Sequence, residues 1–270
     1  MTVHTSSAEH VTEIRLDRPD KRNAINGEMM EGLRNAVAEV AADPSCRVVI
    51  VHGSGRSFCA GLDMANFTEM AGGRLSGDTD SVREALADRS PQGANRAQQV
   101  GWAWRELPVP VIAAVHGHAL GGGLHIALGA DIRIVAPDAA LGFVEITWGL
   151  LPDMSGTQTL RRLVGADRAK ELILTGRRFS GTEALELGLA TEVADDPLER
   201  ARDLAQDIAG RSPEAVRATK AVIDASAELD VADGLELEAS LSAALLGSEN
   251  QLEAVTAQLE SREPTFTDPA

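Results

Sequence analysis

The sequence has little cysteine, no long apolar run and no surplus of positive charge. Two cysteines in 270 residues, Cys46 and Cys59, cannot form a disulfide framework and point to reduced thiols in a cytoplasmic protein. No apolar run approaches the roughly 18 residues that a membrane-spanning helix needs. The N-terminus, MTVHTSSAEH, is polar and lacks the apolar stretch of a secretory signal, so no membrane partner is expected. The formal net charge of −16 excludes a general nucleic-acid binder, which would need a basic face. A polyanionic ligand would have to meet a local basic cluster, and Arg15, Arg18, Lys21 and Arg22 supply one. Several catalytic and nucleotide-binding signatures are also missing. There is no GxGxxG, no Walker GK[ST] loop and no GxSxG elbow. His116, His118 and His125 lie close in sequence, but no cysteine or carboxylate completes a ligand set, so no metal is expected. No repeat at a solenoid period occurs.

The sequence does carry short β-branched runs, each followed by glycines. Val111 to Gly123 reads VIAAVHGHALGGG and leads into LHIALGA. A buried strand, a glycine junction and a helix are expected there. Glycines let the backbone approach a ligand closely, and the first amides of a helix have no internal partner. Such a junction can hold a carbonyl oxygen that becomes negative during reaction, though a turn needed only for packing would look the same. Arg47 to Val51 (RVVIV) is a second strand, followed by the glycine-bearing HGSGRSFCAGLDM from His52 to Met64. VTEIRL (Val11 to Leu16) alternates as a half-buried strand, and DIRIV (Asp131 to Val135) is a further core strand. Gly27 to Ala42 has helical periodicity through Met30, Leu33, Val37 and Val40, and Gln98 to Leu107 is a helix closed by Pro108 and Pro110. Ala71 to Gly93 reads as a loop with one helical turn at Val82 to Ala87. From Thr157 onward the chain is nearly all helical. Strand–helix–strand alternation predicts an α/β protein with a mostly parallel sheet.

Five blocks in order resemble the crotonase superfamily, the enoyl-CoA hydratase/isomerase group. They are RPDKRNAIN (Arg18 to Asn26), SFCAGLD (Ser57 to Asp63), HALGGGLHIALGADIRI (His118 to Ile134), LGFVEITWGLLPDMSGTQTLRRLVG (Leu141 to Gly165) and LTGRRFSGTEALELGLATEV (Leu174 to Val193). The resemblance implies the crotonase (ClpP-like) fold, with repeated ββα units in a core over residues 1–195. A helical region over 196–270 would serve oligomerisation and active-site closure, in a homotrimer or dimer of trimers. It also implies an acyl-CoA substrate, no further cofactor, and an oxyanion hole from the amides of Leu62 and Gly122. Arg22, Ala24, Ala60, Asp63, Met64 and Gly121 match positions around the CoA and substrate.

The resemblance places two acids in a typical hydratase. One position is kept as Glu145, and the other is occupied by His125. Gly122 and His125 are three apart and share a helix face, so His125 either lines the pocket as a neutral imidazole or is a packed helix residue. Asp153 stands eight residues after Glu145, which resembles the dienoyl-CoA isomerases of the family, although those carry an acid where His125 stands. Asp153 either pairs with Glu145 as acid and base or caps the helix that follows. Glu145, Asp153 and His125 are therefore the candidate catalytic residues. Hydration, double-bond isomerisation and acyl-CoA binding without turnover all remain open.

Overall fold

The computed structural model describes residues 1–63, 87–90 and 92–269. Met64 and most of the loop read over Ala71 to Gly93, including its turn at Val82 to Ala87 up to the last residue, lie outside the described residues. The chain opens with strands β1 (Val3–Ala8) and β2 (Val11–Leu16), helix α1 (Gly27–Ala42) and strand β3 (Val48–Gly53). Helix α2 (Arg96–Glu106) leads to β4 (Val111–Val115), β5 (His118–Leu120) and α3 (Gly122–Gly129). Then come β6 (Ile132–Val135), β7 (Ala140–Gly142), a 3-10 turn at Glu145–Trp148, α4 (Gly156–Leu160) and α5 (Ala166–Thr175). The remainder is β8 (Phe179–Ser180), α6 (Gly181–Glu186), β9 (Glu192–Val193) and four helices: α7 (Pro197–Ala209), α8 (Pro213–Ser226), α9 (Val231–Leu245) and α10 (Glu249–Glu260).

A six-stranded sheet in the order β1-β2-β3-β4-β6-β9 is parallel except for the β1–β2 hairpin. Its central strands β3 and β4 are mostly apolar because both faces are covered. Val49, Val51, Val111, Ala113 and Val115 face the main core, which includes Met29 and Leu33 of α1 and Trp104 of α2. Val48, Ile50, Ile112 and Ala114 face the other way, against Ala201, Ala205 and Ala209 of α7. Helix α7 thus covers the second face of the sheet. A smaller sheet, β5-β7-β8, stands beside the first. The chain sends one strand to each sheet and then a helix: β4, β5 and α3 form one such unit.

Local chemistry sets the helix ends. Asn26 accepts the Met29 amide at the start of α1. Asn95 and Gln98 form a reciprocal capping box on α2. β1 was not expected from the sequence, because VHTSSA has no apolar alternation and its last four residues are exposed. Its order comes from pairing with β2 over Val3 to Ala8. Among the described residues no helix is long and apolar enough to cross a membrane.

Candidate active site

The two glycine-bearing segments meet edge to edge. Cys59 pairs with Ala119 of β5 in a parallel bridge, the Cys59 amide donating to the His118 carbonyl at 2.8 Å and Leu120 to the Cys59 carbonyl at 3.1 Å. Gly61 completes the approach: its φ is +89°, and a Cβ there would lie 2.6 Å from the Leu120 carbonyl oxygen and 3.8 Å from the Gly122 nitrogen. Neighbouring amides are committed, Asp63 to the Ile25 carbonyl and Gly121 to that of Gly142. The amides of Leu62 and of Gly122, the first residue of α3, donate to no backbone carbonyl among the described residues.

Both border a cavity of about 840 Å³. Ala24, Ala60, Asp63 and Gly121 line it, as do Glu145 and Asp153. Glu145 opens the 3-10 turn, and its side chain is 13% exposed, so it is not a freely solvated loop carboxylate. Its carboxylate lies against the α3 N-terminus: a Cβ on Gly121 would sit 3.2 Å from Oε1. Asp153 opens to the cavity. The protein packed around it pushes its carboxyl above the usual range, with the charge on Glu145 adding to the rise and its own amide and His125 opposing it. Asp153 is not a helix cap: α4 starts at Gly156, with Ser155 in the cap position at φ +71° and no side-chain capping bond.

His125 is fully buried and is not among the residues lining the cavity; it sits behind Glu145, with Nε2 3.1 Å from Oε1. Arg22 is exposed and is also not among the lining residues, although its carbonyl accepts the Ala60 amide at 2.9 Å. The basic cluster divides. Arg15 pairs with Asp17 at 3.1 Å and Arg18 with Asp63 at 2.8 Å, while Lys21 remains at the cavity. The three histidines also separate: His116 reaches the Gly55 carbonyl at 3.1 Å, His118 reaches Ser57 Oγ at 3.0 Å, and His125 contacts Glu145.

Sequence reasoning missed two contributors. Arg178 lines the cavity, as Lys21 does, and nothing in its local pattern marks it. Asn23 is fully buried, and its amide nitrogen reaches the carbonyls of Ser54, Ser57 and Phe58 at 2.9, 2.7 and 3.1 Å. Its Oδ1 accepts the Arg18 amide at 2.7 Å. Its φ of +56° follows one of +50° at Arg22, and a left-handed pair is a place where asparagine is favoured.

A family model described as Enoyl-CoA hydratase/isomerase matches residues 6–269. The chain belongs to the enoyl-CoA hydratase/isomerase family. It is 37% identical over 263 residues to the human mitochondrial enoyl-CoA hydratase domain-containing protein 2, covering 95% of this chain and 85% of that one. It is 32% identical over 267 residues to the peroxisomal Delta(3,5)-Delta(2,4)-dienoyl-CoA isomerase of Arabidopsis thaliana, covering 98% and 95%. The crystal structure of enoyl-CoA hydratase from Bacillus anthracis superimposes with a TM-score of 0.87 at 35% identity, over 98% of this chain and 99% of that one. The fold is the crotonase fold with a helical C-terminal region.

Proposed function

We propose that this enzyme acts on an unsaturated acyl-CoA, with Glu145 and Asp153 moving protons on an enolate held by the amides of Leu62 and Gly122. Glu145 takes a proton from the carbon α to the thioester. The electron pair moves onto the thioester oxygen, where the two amides receive it; loss of one such donor typically costs about 10²–10³ in rate. Asp153 returns a proton further along the chain as the electrons flow back, and the double bond shifts. The observation that carries this reading is the placement of both carboxyl groups in the cavity that the two amides border. The raised Asp153 carboxyl suits a group that must donate. Lys21 and Arg178 would meet the CoA phosphates. The helices beyond residue 195 would serve a homotrimer or a dimer of trimers. The buried free thiols of Cys46 and Cys59 suit the cytoplasm, although the relatives above are mitochondrial and peroxisomal.

Hydration is the second reading, favoured by the structural likeness to a hydratase. In it Glu145 holds a water that adds to the β-carbon. One experiment tests both readings: wild type, Glu145→Gln and Asp153→Asn are assayed on crotonyl-CoA and a 3,5-dienoyl-CoA, with an acyl-CoA binding titration alongside. Glu145→Gln should lower turnover by ~10²-fold or more while binding persists. Asp153→Asn should abolish dienoyl isomerisation and leave any hydration nearly untouched. If neither substitution changes the rate on any substrate, both mechanisms fail and a binding protein is left.

A further inference from the structure

The ring of His125 occupies a slot made for it. Gly156 forms one wall: a Cβ there would lie 2.5 Å from both Nε2 and Cδ2, so any side chain at 156 would displace the imidazole. Phe143 stands on another side, with ring centroids 5.7 Å apart. The polar contact recorded for the ring is Glu145 Oε1, at 3.1 Å from Nε2. That pair is within ion-pair distance but off hydrogen-bond alignment. Both ring nitrogens and Glu145 Oε2 are buried without a hydrogen-bond partner among the described residues. Buried polar atoms in that condition are costly and call for an explanation, a catalytic role among them. Hydrogen bonds to catalytic groups are often misaligned in an unliganded site and tighten when substrate seats.

We infer that His125 is a positioning residue, whose Nε2–H donates to the Glu145 carboxylate and fixes the direction in which its free oxygen meets the substrate, and that glycine at 156 is what makes room for it. This rests on the reading of Glu145 as the acid/base. It requires the Nε2–H tautomer, with Nδ1 as the ring nitrogen that carries no hydrogen. It also assigns His125 no contact with the reacting atoms, since the ring contributes no surface to the cavity. Misplacement of a reacting group by about 1 Å can cost ~10²-fold, so the effect belongs in kcat and leaves binding alone.

The test is a kinetic cycle on whichever of crotonyl-CoA and a 3,5-dienoyl-CoA the wild type turns over faster. His125→Leu fills the slot without a donor and should lower kcat by ~10²-fold with KM unchanged. His125→Gln keeps a donor at similar reach and should recover much of that loss. Gly156→Ala keeps the histidine but displaces its ring, and should lower kcat in the same way. The double variant His125→Leu/Gly156→Ala should be no slower than His125→Leu alone, because both changes remove one contact. Thermal melts accompany each variant, and His125→Gln and Gly156→Ala decide the matter if His125→Leu does not fold. A wild-type kcat in His125→Leu overturns the inference. So does a glutamine variant as slow as the leucine variant, or strict additivity in the double variant. Loss of activity in Glu145→Gln together with any of those results removes only the role of His125; full activity in Glu145→Gln removes the reading of Glu145 itself.

Discussion

Helices α3 and α9 are both built largely from apolar residues and have opposite fates. Every residue of α3, from Gly122 to Gly129, is buried. In α9 no residue is buried, and Val231 and Leu235 are 80% and 60% exposed. α10 continues the pattern, with Leu252 at 56% and Leu259 at 81%. Hydrophobicity therefore does not by itself assign a helix to the core; what covers it does. α3 lies between α2, β5 and α4, and that enclosure makes its N-terminal amides a fixed feature of the cavity. α9 packs mainly on α8 and offers its apolar residues outward, as a subunit contact would.

The comparison breaks most strongly on the enclosed side. Asn23 ties the N-terminal segment to the loop that leads to Leu62, through three carbonyls and one amide. Asn23→Ala leaves the buried carbonyls of Ser57 and Phe58 without this donor, at about 1–3 kcal/mol for each group left unsatisfied. Urea unfolding should show a midpoint well below wild type, and turnover should fall as the Leu62 amide loses its register. A wild-type midpoint would mean that this segment is held by other contacts.

The legibility of the sequence follows the same division. β2, β3, β4 and β6 were readable because each is a short β-branched run, and α1 was readable through Met30, Leu33, Val37 and Val40, although its buried face is Met29, Leu33, Ala36 and Val40. The Leu62–Gly122 meeting was readable only through the resemblance, since no local rule brings residue 59 beside residue 119. The place of His125 was not legible. Its helical register puts it on the Gly122 face, but whether that face opens to the cavity depends on Glu145, twenty residues later, and on a glycine at 156. Asp153 misled in another way: a helix-start pattern of Asp, Ser and Thr suggested a cap, and the backbone starts α4 after Ser155 instead. β8 and β9, at two residues each, carry no periodicity to read.

On the uncovered side, Leu235→Lys with Leu259→Lys should hardly alter the stability of a protomer. Substitutions at exposed positions usually stay within about 0.5 kcal/mol. If these faces join copies of the chain, sedimentation should show a smaller species for the double variant than for wild type. Identical sedimentation would mean that other surfaces assemble the protein, or that it is monomeric.

The smallest effect lies where α7 meets the sheet. His52 of β3 sits with Nε2 3.4 Å from Glu13 of β2, and Arg202 of α7 grips the same carboxylate at 2.7 and 3.0 Å. Burial holds the His52 imidazole below its usual range, the charges on Arg202 and Arg15 add to this, and Glu13 opposes it. The Arg202 hydrogen bond holds Glu13 below the usual carboxylate range. The signs then separate the two groups. For His52 the unfolded chain binds a proton more readily than the folded one, so its contribution is complete above about pH 6.5 and declines as pH falls through the folded value. Glu13 loses its contribution only in the acid range below that. Between about pH 7.5 and 5.5 the urea midpoint of wild type should therefore drop, with His52 as one source. His118, lowered by burial and by the charges on Arg22 and Arg178, adds to the drop in the same window. His52→Gln removes one titrating group of the two, so its midpoint should fall less steeply than wild type over that interval. An unchanged slope would mean that His52 keeps the same proton affinity folded and unfolded, and that α7 is joined to the sheet by the Arg202–Glu13 pair and its apolar face alone.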